Sequence, residues 1–359
     1  MKHLWQKEFS NRIAGFPLIK ETLGRSLQER LDTNDWFENR FIRAILLEKE
    51  WMPENEELFA KAKIDEVINA NEIFRNPHGN DIDYDMQLFD ALAEVRLVCW
   101  ARENGYTKIE KITNISNREV TPDFRMSKNG SITIAEAKHF RERDYLLDFV
   151  YDRVAGLFLI TDLFRQFGLK IETTTRYEEI RDVLTKEKAA QRQERVQEAR
   201  ENMQLTLLGA LSNNDSSEIQ ILDGLVNIKR TSYIGHLEVE TFGSDNPNET
   251  CELMLSKLGG KLNTSLKQIA KYYDNLIDKS QISSALVFFS GTGPENLEWS
   301  AMWDVLCGCA DSAALERVDE LHINAQKLID IPFELIAGSG NPLEYRPFPW
   351  SPKEFKELR

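Results

Sequence analysis

Long apolar runs, Cys-x-x-Cys pairs and paired histidines are all missing from this chain, and each absence removes a class of function. No run of about 18 apolar residues occurs, so no membrane-spanning helix is expected. The first residues, Met1 to Glu8, lack the apolar segment of a signal peptide, which predicts a cytoplasmic protein. Four cysteines, Cys99, Cys251, Cys307 and Cys309, form no Cys-x-x-Cys pair, which argues against both a zinc site and a disulfide framework. The five histidines, His3, His78, His139, His236 and His322, stand singly and predict structural or exposed roles rather than ligation. Positive charge is short as well. Against 59 Asp and Glu there are 45 Lys and Arg, a net charge of −14. Because Lys and Arg drive phosphate binding, a nucleic-acid ligand requires basic residues gathered on one face, or a protein partner or second copy that supplies them. Acids farther from such a patch than a Debye length, roughly 8 Å at physiological salt, do not cancel it.

What the chain does have is a soluble, core-forming composition: 359 residues, 42% hydrophobic and 29% charged, enough for one domain with additions. Its most informative stretch runs from Glu119 to Phe140. Two runs of β-formers flank Asn129-Gly130, the pair most tolerant of the positive φ angles that a two-residue type I′ turn needs. Setting Lys128 opposite Ser131 puts Met126 opposite Thr133, Phe124 opposite Ala135, and Asp123 opposite Glu136. A four-residue loop would make the two acids diagonal instead and keep them on one face. Directly paired residues have Cβ atoms roughly 5 Å apart, and like charges there destabilise a sheet. Strand alternation places Glu136 and Lys138 on the face that also carries Thr121, Asp123 and Arg125. A divalent cation between the acids would turn their repulsion into a binding site. The plain alternative is a solvated hairpin face neutralised by Lys138 and Arg125.

Pro122-Asp123, followed by Glu136-Ala137-Lys138 at the end of an apolar strand, resembles the PD-(D/E)xK nuclease superfamily, also called the restriction-endonuclease-like fold. The resemblance is carried by the hairpin, extends loosely to its flanking elements and does not reach the termini. It implies an α/β protein with a mixed β-sheet core flanked by helices. It also implies Mg²⁺, or Mn²⁺ in its place, bound by Asp123, Glu136 and the backbone carbonyl of Ala137, with Lys138 positioning or deprotonating the attacking water. In that superfamily a helix before the hairpin often adds an acid. The segment Asp85 to Asn104, closed by Gly105 and with Leu88, Leu92, Val95 and Cys99 on its buried stripe, offers Glu94, with Asp90 behind it. The strand-like segment Tyr106 to Ile115 then completes the order helix, strand, hairpin.

Elsewhere the chain reads as a helical N-terminal region over 1–80, a nuclease-like domain over 81–300 and a C-terminal extension over 301–359. A helical insertion is expected at about 144–212, made of Tyr145 to Phe167 and a long helix of mixed charge from Tyr177 to Leu208. Two pairs of elements compete to complete the core. One is the helix Leu255 to Lys279, with Leu258, Leu262, Leu266, Ile269, Tyr273 and Leu276 inward, followed by the strand Ser283 to Phe289; the other is Tyr145 to Phe167 followed by Leu169 to Thr175. His236, Glu238 and Glu240 share a strand face and form a lesser metal candidate, since alternation alone explains them. Gly291-Thr-Gly293 lacks the Lys-Ser/Thr ending of a phosphate loop and reads as a turn.

The expected function is a Mg²⁺-dependent endonuclease that hydrolyses DNA, rather than RNA, in a restriction or phage-defence setting; that setting rests on fold analogy. Its expected DNA contacts are Arg125, Arg141 and Arg143 near the hairpin and Lys261, Lys267 and Lys271 on the lysine-bearing helix. The competing expectation is a non-cutting, nuclease-like subunit that binds nucleic acid or a protein partner, to which the acidic balance and the aromatic tail Tyr345 to Trp350 are suited.

Overall fold

Two units divide the chain: Met1–Glu142 with Cys251–Arg359, and Arg143–Thr250. A computed structural model describes residues 4–21, 51–63, 81–112, 121–139, 166–174, 218–221, 226–235, 237–242, 247–290, 314–339 and 344–347. In chain order these hold α1 (Leu4–Ile13), α2 (Trp51–Ala62), α3 (Asp81–Glu103), β1 (Lys108–Lys111), β2 (Phe124–Lys128), β3 (Ser131–His139), β4 (Gly168–Thr174), β5 (Glu218–Ile221), β6 (Val226–Thr231) and β7 (Leu237–Phe242). They continue with α4 (Pro247–Asp274), β8 (Ile282–Ser290), α5 (Ala314–Gln326), β9 (Phe333–Ser339) and β10 (Glu344–Pro347).

The first unit is a mixed α/β structure around a six-stranded sheet in the order β1-β2-β3-β8-β9-β10. The β1-β2-β3 part is antiparallel, β3, β8 and β9 run parallel, and β10 returns antiparallel to β9. Alternation along the central strands feeds two cores. Ala135, Ala137, Leu286 and Phe288 pack with α1, α2 and α3, while Ile132, Ile134, Val287 and Phe289 pack with α4 and α5. Strands buried on both faces read as nearly continuous apolar runs, as Ala285 to Phe289 does. On α4 the predicted stripe is buried at Leu258, Leu262, Leu266 and Ile269, with Tyr273 and Leu276 packed partly against it.

The choice between the two core-completing pairs is therefore decided for α4 and β8, since β8 lies beside β3. Residues 169–174 belong instead to a separate four-stranded sheet, β5-β6-β4-β7, in the second unit. Within the helical insertion expected at about 144–212, the strand-like segment Leu169 to Thr175 is therefore found as β4, a strand of this second sheet and not of the core. The inserted unit extends to Thr250 and its described part is a sheet, whereas residues 145–165 and 177–208 lie outside the described residues. The C-terminal extension is corrected too, because α5 joins the core and β9 and β10 extend the central sheet. In the N-terminal region α1 and α2 are helical as expected, with Pro53 in the first turn of α2, where its missing N–H is tolerated. Among the described residues no helix is long and apolar enough to cross a membrane.

The β2–β3 turn has the predicted form: Asn129 has φ 53° and Gly130 has φ 82°. A Cβ at Gly130 would meet nothing within 4 Å, so its requirement is conformational and not steric crowding by neighbours. Gly130→Ala is expected to destabilise the first unit by about 1–2 kcal/mol, and Gly130→Asn by less, because Asn tolerates the left-handed region. Urea unfolding of both variants checks the order; equal losses would mean that backbone strain is not what fixes this residue.

Candidate active site

The site forms where the hairpin ladder ends. β2 and β3 pair from Lys128 opposite Ser131 to Phe124 opposite Ala135, the predicted register. One step further, Asp123 and Glu136 meet through cross bonds instead of ladder bonds. The Asp123 N–H donates to Glu136 Oε2 at 3.1 Å, and the Ala137 N–H donates to Asp123 Oδ2 at 2.8 Å. The Ile112 N–H donates to the Asp123 carbonyl at 2.8 Å, which ties the same residue to β1. In an extended strand the N–H and C=O of one residue point to the same side, which puts the Ala137 carbonyl on the β2 side of β3.

Glu136 is 1% exposed. Burial, then the neighbouring Asp123 charge, pushes its carboxyl up to about 8, against the opposing pull of Lys138. Lys138 Nζ lies 2.5 Å from Glu136 Oε1. From α4, the Gln268 amide donates to Glu136 Oε2 at 3.2 Å and to the Thr121 carbonyl at 2.5 Å, clamping the glutamate to the segment before β2.

Glu94 approaches from α3, half-buried, and is joined to the pair by a residue that the sequence reading did not single out. Lys111, the last residue of β1, bonds Glu94 Oε2 and lies 3.2 Å from Asp123 Oδ1 and 4.8 Å from the centroid of the Phe124 ring. Burial works to lower the Lys111 ammonium pKa, but Glu94 and Asp123 outweigh it and hold the group up at about 12. The available signal was alternation: Ile109 and Lys111 share a strand face, and Ile109 is core. Gln268 was also missed; it lies two helical turns beyond Lys261, on the same face.

The expected nucleic-acid contacts separate. Lys261 is drawn to the site, donating to the His139 carbonyl at 2.7 Å, while Lys267 and Lys271 stand exposed on a flank of α4. Arg125 is half-buried on β2, near enough to Asp278 to lower that acid's pKa, after the larger effect of Ser280. Arg141 and Arg143 lie outside the described residues, as do His236 and the side chains of Glu240 and Asp90; Glu238 is exposed on β7.

No family model, curated protein or solved structure matches the chain. Among the described residues no set of three or more His, Cys, Asp or Glu is placed to hold an ion. The donor chemistry nonetheless fits a hard divalent cation, because Asp123, Glu136 and Glu94 offer only carboxylate oxygens. What departs from a preformed ligand set is the ammonium between Glu94 and Asp123.

The raised Glu136 pKa has a stability consequence. The folded state holds this proton more tightly than the unfolded chain, so the contribution is full below the ordinary value of 4.5 and is lost as pH rises through about 8. In metal-free buffer, Glu136→Gln is expected to flatten the fall in unfolding free energy between about pH 5 and 9 by on the order of a few kcal/mol. Urea titrations with a chelator present measure it. Parallel curves for the two proteins would show that Glu136 does not titrate in this range.

Proposed function

We propose that this chain is a Mg²⁺-dependent phosphodiesterase with a restriction-endonuclease-like core, acting on DNA, with Mn²⁺ able to replace Mg²⁺. The observation that carries the reading is the Asp123–Glu136 opposition at the end of the hairpin, with Glu136 buried and Lys138 against it. Burying ionisable groups costs several kcal/mol per ion, and a purely structural hairpin would meet that position more cheaply with apolar side chains. Strongly shifted acids held in such clusters mark functional sites. The mixed sheet with helices on both faces, and an acid-bearing helix before the hairpin, agree with the reading.

Asp123, Glu136 and the Ala137 carbonyl are the groups that would hold the ion, whose chemistry is to polarise the scissile phosphate and acidify a bound water. The residues of the chain do the rest. Lys138 stands beside Glu136 to orient the attacking water and to offset the charge that develops on the phosphate oxygens. Gln268 holds the Glu136 carboxylate in one orientation and fixes the segment that carries Asp123. Glu94, behind Lys111, is the further acid.

Asp123→Ala is expected to abolish Mg²⁺-dependent plasmid nicking, and Lys138→Ala to reduce it by about 100-fold or more, with far-ultraviolet circular dichroism unchanged. Nicking retained by both variants would remove these residues from the mechanism. A competing reading, a non-cutting subunit that binds DNA or a protein, draws on one observation: among the described residues each acid of the site already has an ammonium against it. DNA binding without nicking at any Mg²⁺ or Mn²⁺ concentration would favour it.

The DNA track is proposed to follow the exposed flank of α4. Neutralising Lys267 and Lys271 together should weaken binding and flatten the slope of log K against log salt by roughly 0.9 for each phosphate left without its cation, whereas Lys188, Arg192 and Arg195 should matter less. A larger effect from the second set would move the track onto the inserted unit.

A further inference from the structure

We propose that Lys111 is a resident cation in the seat between Glu94 and Asp123, and that a divalent ion enters the site by exchanging with it. The inference rests on the metal-dependent reading above and goes beyond it, because it assigns the site a built-in competitor.

The argument begins with the carboxylate oxygens. Asp123 Oδ2 accepts from the Ala137 N–H, and Glu136 Oε2 accepts from the Asp123 N–H and from Gln268. Glu136 Oε1 faces Lys138. The oxygens through which one ion could link α3 to the hairpin are Glu94 Oε2 and Asp123 Oδ1, and these are the two that Lys111 holds. An ammonium is a compact point charge with three donors and no acceptor, so it satisfies two carboxylates at once and supplies nothing that a cation could bind. A divalent ion sharing Asp123 Oδ1 with it would stand a few ångströms from a like charge in a half-buried site, where screening by water is weak.

Lys111 also has a way out. It ends β1, an edge strand of the six-stranded sheet among the described residues, and its side chain is 23% exposed on a flexible four-carbon stem. Its ammonium rests against the face of Phe124, an attraction far weaker than two carboxylate bonds and easily given up. Lys138 differs in its seat: it bonds Glu136 Oε1, on the α4 side of the sheet, and stands outside the Glu94–Asp123 seat, around which Glu136 and the Ala137 carbonyl would complete the set that holds an ion. Lys111 thus keeps two repelling acids together in the metal-free protein, and the affinity of the site for an ion is that of the exchange. Once displaced, the ammonium remains within side-chain reach of the acids, where it meets the phosphate that the site is proposed to bind.

The test uses the full chain stripped of metal. Mn²⁺ binding, followed by loss of the free-ion electron paramagnetic resonance signal, is measured for the wild type, Lys111→Met, Lys111→Gln and Asp123→Asn. Both Lys111 variants are expected to bind Mn²⁺ about tenfold tighter than the wild type, the scale of removing one close like charge, and Asp123→Asn to bind more weakly. In parallel, wild-type protein is reductively methylated with and without Mn²⁺ and the lysines are read by mass spectrometry. Lys111 should react several-fold faster with the ion present, while exposed Lys128 does not change. Mn²⁺ binding by the wild type with no gain in either Lys111 variant, or Lys111 labelling that is unchanged or slowed by Mn²⁺, overturns the exchange and leaves the metal reading standing. Mn²⁺ binding by neither the wild type nor the variants overturns both. If the variants fail to fold, the labelling of the wild-type chain decides alone.

Discussion

A carboxylate buried beside another carboxylate is the constraint on which the rest of the site depends. Glu136 sits in the interior of a sheet that has helices on both faces, with Asp123 directly across the end of the hairpin. Desolvating an ion costs several kcal/mol, and a second negative charge adds to that cost. The surrounding groups are those that offset it: two backbone N–H groups, the Gln268 amide, and the ammoniums of Lys138 and Lys111. Bonds to a charged acceptor are about twice as strong as neutral ones, which is why a short list suffices. These groups come from β1, from the start of β2, from β3 and from α4, so all four elements must be in place before the acid is tolerated.

Asp123 is the joint between two half-sites. On the α4 side of the sheet lie Gln268, Glu136 and Lys138; on the α3 side lie Glu94 and Lys111, beside Phe124. Only where β2 stops does the sheet cease to separate them, and Asp123 stands at that end, with one oxygen toward Lys111 and the other toward the β3 backbone. Sliding the hairpin by one residue would move Glu136 to the face of Ala135 and Ala137 and dismantle both halves, since strand side chains alternate with period two.

Much of this was legible because it is local. Asn129-Gly130 admits one turn geometry, the turn sets the register, and the register sets Asp123 against Glu136. The leucine stripe of α4 was equally plain, with a helical period sustained across Leu258, Leu262, Leu266 and Ile269. The rest depended on partners distant in the chain. β8 lies beside β3 although a whole unit intervenes, and no local pattern announces a parallel neighbour of that kind. Strand β4 was legible as a strand over Leu169 to Thr175, but its partners β6 and β7 are distant in the chain, so its own pattern could not assign it to the second sheet instead of the first. The tail Tyr345 to Trp350 shows no strand alternation that would tie it to the sheet, yet residues 344–347 pair with β9 as β10, an edge position where Pro347 is tolerated. Lys111 was overlooked for a chemical reason: a lysine between Glu110 and Ile112 passes for ordinary surface charge, and only the burial of Ile109 marks its face as inward.

The arrangement also bears on how so acidic a chain could approach a polyanion. At the site itself three carboxylates, Glu94, Asp123 and Glu136, face two ammoniums, Lys111 and Lys138, which leaves one negative charge when all are ionised. With Glu136 protonated, as burial favours up to about pH 8, the cluster is neutral. On the proposed reading, a divalent ion that displaces Lys111 without expelling it from the neighbourhood converts the cluster to a net positive charge. Within a Debye length, roughly 8 Å at physiological salt, that local sign and not the total of −14 is what a phosphate meets. Metal and DNA would then favour each other's binding reciprocally, as linkage requires of any two ligands whose sites interact. The lysines bordering the acids would serve two states in turn, neutralising carboxylates before the ion arrives and phosphate afterwards.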